Sequence, residues 1–176
     1  MDLTSREFWG LVHGIGLGSV YLLAFSAGWT WLRSYRADLV TPTGVEVRHR
    51  RMVPRVWLLA VICWLTCLTG MFVVYPWYRA VPPEGADLHL YPQAFLKQRP
   101  GTAGWHSFGM EWKEHVAWLS AILSTAVAAV ATRYGPALAG NVTLRRSLML
   151  FHLLAFLAAG VAGLFGALIT KAAGVR

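Results

Sequence analysis

The chain has 176 residues, of which 56% are hydrophobic and only 14% charged, with a formal net charge of +8. A soluble domain carries about a quarter charged residues, and here the few charges are collected between long apolar runs, which argues against a soluble globular domain and for a chain solvated by lipid. The excess of base has no basic stripe interleaved with aromatics on a soluble surface, so nucleic acid is not an expected partner.

In chain order, four runs are long enough to span: Phe8–Leu32, Val53–Trp77, Met110–Thr132 and Leu148–Ile169. Each supplies the roughly 20 residues that a helix rising about 1.5 Å per residue needs to cross a hydrocarbon core of about 30 Å. The third is loaded at its start by Glu111, Lys113 and Glu114, which can sit among headgroups. The expected fold is all-α, a single integral-membrane four-helix bundle over residues 1–176. The start is not a signal peptide, because Asp2, Arg6 and Glu7 give no basic excess and the apolar run is too long.

The first connection carries Arg33, Arg36, Arg48, Arg50, Arg51 and Arg55, and the third Arg133, Arg145 and Arg146. The positive-inside rule places both in the cytoplasm, with both termini and the middle connection outside; a bacterial inner membrane is the expected location. The middle connection, from Arg79 to Phe108, is the longest, and Pro82, Pro83, Pro92 and Pro100 argue against a continuous helix through it. It follows Tyr75-Pro76-Trp77-Tyr78-Arg79, which reads as an interfacial aromatic belt with a snorkelling arginine, or as a site where Arg79 meets a haem propionate or another anionic group. Asn141-Val142-Thr143 spells a glycosylation acceptor in an expected cytoplasmic turn and is read as chance. Cys63 and Cys67, four apart on one helix face, read as packing residues.

Ionisable groups within membrane helices are costly and point to function. Counting from the helix ends at Arg33 and Arg133, His13 lies about 30 Å and His115 about 27 Å up their helices, at nearly one level towards the outer face. Two histidines at matched depth on facing helices can hold a haem iron. Gly10, Gly14 and Gly18 beside His13 would make room for a macrocycle or for a neighbouring helix. Glu111, one turn before His115, could orient its imidazole or take a proton from quinol. His152 lies near the cytoplasmic side, where His49 could fold back to meet it in a second haem site; otherwise it bridges helices. His106 and His89 fall in the middle connection, with His106 a candidate for an axial ligand or a quinol site.

In layout the chain resembles small four-helix membrane b-type cytochromes, the anchor or electron-transfer subunits of respiratory enzymes. The resemblance rests on the four runs, on His13 and His115 at matched depth, and on His152 on a further helix. It implies a haem b electron-transfer subunit, with His13 and His115 as axial ligands and His152 and Arg79 as further cofactor contacts. One haem is expected; a second, if present, would sit at His152. Quinone and other subunits of a membrane complex are the expected partners. Two other readings stand beside it: a non-redox scaffold whose histidines only bridge helices, and a metal-handling protein with a site at His13, His115 and His106.

Overall fold

The computed structural model describes residues 3–37 and 41–173. Among these residues the regular structure is helical throughout. Four helices are long and apolar enough to cross a membrane: α1 (Ser5–Ser34), α2 (Pro42–Tyr78), α3 (Pro100–Tyr134) and α4 (Val142–Ala172), of 30, 37, 35 and 31 residues.

Every expected run lies inside one of these helices, and each helix extends beyond its run. The extensions have local causes. Thr41 receives the Gly44 N–H on its side chain at 3.1 Å and Pro42 occupies the first turn of α2, so that helix begins in polar sequence well before Val53. Pro100 starts α3 in the same way. A proline in the first turn gives up only an N–H that has no partner there anyway. Pro92 likewise opens a short helix, Pro92–Lys97. Two of the prolines expected to interrupt the connection therefore begin helices within and after it, and the segment between α2 and α3 narrows to residues 79–99.

α1 packs against α2 and α4, and α3 packs against the same two helices. α1 and α3 therefore stand on opposite corners of a four-helix square. Three layers of core fill it. One end is held by Leu32, Tyr35, Met52, Val56, Val127, Ala128 and Leu148, the middle by Tyr21, Leu59, Cys63 and Ala121. The other end is closed by Tyr78, Leu96, Met110 and Ile169. Leu96 comes from the α2–α3 connection and is fully buried, so this segment caps the bundle. Arg6 ties it to α1 by donating to the Leu90 carbonyl at 3.2 Å. Tyr35, in the α1–α2 turn, is buried with its hydroxyl on the Val45 carbonyl at 3.3 Å; burial, and then Glu46 nearby, push its phenol up to about 12.

Polar side chains add interhelical bonds. Trp57 and Trp64 on α2 donate their indole N–H groups to Thr132 and Thr125 on α3, each at 3.0 Å. Trp112 donates to the Ala158 carbonyl of α4 at 3.2 Å, and the Tyr21 hydroxyl donates to the Phe156 carbonyl. Outward, all four helices present large apolar side chains, among them Leu23, Phe72, Ile122 and Leu164. This surface is compatible with a multi-pass integral membrane protein.

Candidate functional site

Four π-helical turns interrupt the long helices: Val12–Gly16 in α1, Gly70–Val74 in α2, and Trp105–Met110 and Trp112–Val116 in α3. All lie at the capped end, opposite the arginine-rich turn. A π-turn accommodates one extra residue and rotates the side chains beyond it, and such turns gather at functional sites. His13, Lys113, Glu114 and His115 sit on them, and Tyr75, Tyr78 and Arg79 follow directly.

His13 faces the α1–α2 seam. Its Nδ1 lies 2.9 Å from the Thr69 hydroxyl oxygen. That hydroxyl is itself within 2.7 Å of the Leu65 carbonyl, to which it donates. Thr69 therefore accepts from Nδ1–H, which leaves Nε2 without a proton. The ring lies flush on Gly70, where a Cβ would come within 3.0 Å of Cε1. The glycine stripe of α1 faces elsewhere: a Cβ at Gly10, Gly14 or Gly18 would meet nothing within 4 Å. Among the described residues, then, the stripe makes no helix–helix contact.

His115 turns away from the bundle. Its side chain is 70% exposed, with Nδ1 3.1 Å from the Glu111 carbonyl and 3.4 Å from the Glu111 carboxylate. The expected one-turn pairing with Glu111 is present, and Nε2 points outward. The residue that α3 turns towards its neighbours at this level is Lys113. Its ammonium donates to the Ala162 carbonyl of α4 at 3.4 Å and rests on Gly166, where a Cβ would fall 2.8 Å from Nζ. Among the described residues no carboxylate comes within ion-pair distance of it. Residues two apart on a helical turn lie on roughly opposite sides of it, so an inward Lys113 goes with an outward His115. The two histidines thus share a helix end but face different ways.

Next to them is a polar group at the mouth of the bundle. The Tyr78 hydroxyl pairs with His106 Nδ1 at 2.8 Å, and Gln93 reaches His106 Nε2 at 3.4 Å. Glu114 lies alongside the Tyr75 and Tyr78 phenols. Arg79 donates to the Tyr75 hydroxyl at 2.9 Å, its guanidinium 5.4 Å from the centre of that ring. Beside this group is an open apolar groove of about 270 Å³ lined by Gly101, Gly104, Trp105, Phe108 and Phe165.

At the other end, His152 is fully buried. Its Nε2 donates to the Phe25 carbonyl of α1 at 3.2 Å, and its ring stacks on Phe25 with centroids 5.1 Å apart. Nδ1 has no partner. His49 bonds elsewhere, to the Ala131 carbonyl of α3 at 3.2 Å, and packs on Gly135. The two contact different helices instead of one another. His89 lies exposed against Phe95. Cys63 and Cys67 are free thiols in the packing, with Cys67 near the Ala117 carbonyl. Among the described residues no group of three or more His, Cys, Asp or Glu is placed to hold a metal ion.

From sequence, Gln93 was not singled out, Lys113 was read only as a charge at the start of its run and Tyr78 only as part of an aromatic belt. For Lys113 a signal was present. The buried positions Ser120, Ser124, Val127 and Ala131 of α3 form a stripe at helical spacing, and stepping back along it through Ala117 reaches Lys113. Comparison with family models, with curated proteins and with solved structures finds no match to this chain.

Proposed function

We propose that this chain is a four-span membrane subunit that binds haem b and exchanges electrons with quinol at the capped end of its bundle. The reading is carried by the posture of His115: Nδ1 is fixed by Glu111 while Nε2 is presented on an exposed face. A ligating imidazole is oriented in this way, with one nitrogen held by a carbonyl or carboxylate and the other free for the metal. His13, held through Nδ1 by Thr69, has the same tautomer.

The sequence-based pairing of the two histidines needs amending: His115 faces away from the bundle and His13 faces α2, so His115 would hold a haem together with a residue of a partner subunit and not with His13. That suits a component of a larger membrane complex. When bound, haem b supplies a reversible one-electron centre whose potential follows its ligands and surroundings. The side chains around the mouth have their own parts to play. Arg79 and Lys113 offer cations for propionates or a quinone oxygen. The Tyr78–His106 pair, with Glu114 beside it, is a hydrogen-bonded chain able to take up the protons that a quinol releases. By the positive-inside rule, the crowding of basic side chains around the α1–α2 turn supports a cytoplasmic location for that end and an outside location for the capped end.

A non-redox assembly subunit is the second reading, and it too has an observation in its favour: His13 and His152 each tie two helices together, as polar side chains do in membranes. An absorption spectrum of the protein extracted in mild detergent from its native membrane together with its partner subunits, oxidised and then reduced with dithionite, separates the two. The proposal expects a sharp reduced α-band of b type that disappears in His115→Ala. A preparation that stays colourless, even after added haemin, would sink it in favour of the scaffold.

A further inference from the structure

At the arginine-rich end, the last turns of α1 border an open cavity of about 320 Å³ lined by Trp29, Thr30, Arg33, Ser34 and Arg36. Arg33 and Arg36 are exposed and both line the cavity. Trp29 leans on Phe25, with ring centroids 5.9 Å apart, and forms an apolar wall. The carbonyl end of a helix would by itself repel an anion. Here that end is covered by cations: Arg48 donates to the Ser34 carbonyl at 3.2 Å. The guanidinium carbons of Arg48 and Arg55 lie 5.9 and 4.6 Å from the centre of the Trp31 ring. Above the cavity, Leu22, Ser26, Thr30 and Arg33 recur at spacings of a helical turn and are all exposed, so one face of α1 runs from the arginines into apolar surface.

We infer that this cavity binds the phosphate of an anionic phospholipid. Arg33 and Arg36 hold the phosphate through forked N–H donors, Trp29 lies at headgroup level, and an acyl chain follows the outward face of α1 past Leu22. Guanidinium groups match phosphate geometry and tolerate partial desolvation better than ammonium groups do. Basic pockets at the cytoplasmic ends of membrane helices are where anionic headgroups settle. The inference rests on the membrane reading of the four helices and is independent of haem.

The test is native mass spectrometry of the full chain released from detergent. It is mixed in turn with phosphatidylglycerol, with phosphatidylcholine, and with phosphatidylglycerol plus millimolar inorganic phosphate. Phosphatidylglycerol should be retained in preference to phosphatidylcholine. Retention should fall about five-fold in Arg33→Gln and about 25-fold in the double variant with Arg36→Gln, as expected when each interfacial arginine contributes about 1 kcal/mol. Arg99→Gln, an exposed arginine at the capped end, should leave retention unchanged; elution and melting temperature check that each variant is folded. Equal retention of the two lipids, or no loss in the double variant, overturns the inference. Displacement of the lipid by inorganic phosphate keeps the anion site and overturns the lipid as its source.

Discussion

The glycine beneath a buried ring sets the position of that ring. Gly28 on α1 lies under His152, and a Cβ there would sit 2.7 Å from Cε1 and 2.8 Å from Nε2. Phe25 stacks on the same ring with centroids 5.1 Å apart, and Val56 Cγ1 lies 3.6 Å from the position of that Cβ. Gly28→Ala should therefore destabilise the protein by about 1–3 kcal/mol, the usual cost of overpacking, and loosen the hydrogen bond to the Phe25 carbonyl. Gly18→Ala, ten positions earlier on the same helix, meets nothing within 4 Å. It should be neutral or stabilising by up to about 1 kcal/mol, because alanine is the better helix former. Thermal melts of the two variants in one detergent decide the matter: equal losses would contradict the packing described. The unpartnered Nδ1 of His152 makes this histidine an expensive residue to bury, and its hydrogen bond to α1 accounts for only one of its two nitrogens.

Helix ends and π-turns decide the shape of the elements. Asn141 accepts the Leu144 N–H at 2.9 Å and so caps α4. That structural use supports reading Asn141-Val142-Thr143 as a helix start. Asn141→Ala should cost about 1 kcal/mol of stability, as loss of an N-cap does, while Asn141→Asp should retain most of it; denaturation midpoints of the two check this. The boundaries were only partly legible. Pro42 and Pro100 lie well before the apolar runs, and their helices extend beyond those runs because capping and first-turn geometry, not hydropathy, determine where a helix starts. The π-turns left no sequence signal. They depend on how α1, α2 and α3 settle against one another, which their separate sequences do not specify.

For the whole molecule, the expectation is that the arginine-rich turn and the capped end lie on opposite sides of a membrane. Single cysteines placed at Arg36 and at Gln98, in a background with Cys63 and Cys67 replaced by alanine, should test it. A membrane-impermeant maleimide added to intact cells should label position 98 and reach position 36 only after lysis. Labelling of both positions in intact cells would contradict the topology. The square arrangement also bears on the haem proposal. α1 and α3 occupy opposite corners, one of the two arrangements in which His13 and His115 could share a cofactor, yet the rotation of α3 directs Lys113 inward and His115 outward. His115 is therefore available to a second subunit.

The number of helices, their order and the clustering of base at one end were readable from sequence because each follows from local composition: a run of apolar residues is long enough to cross or it is not. The levels of His13 and His115 along their helices followed from counting residues. Which way each side chain faces was decided only by the tertiary structure. In water the inner face of a helix is marked by the contrast between apolar and polar sides. On these helices both sides are apolar, Leu119 and Ile122 outward as much as Ala121 and Val127 inward, so periodicity does not single out the buried side. The rotation of α3 comes instead from close packing of its small residues, Ser120, Ala121, Ser124 and Ala128, against α2 and α4, and that fit exists only once the helices are together.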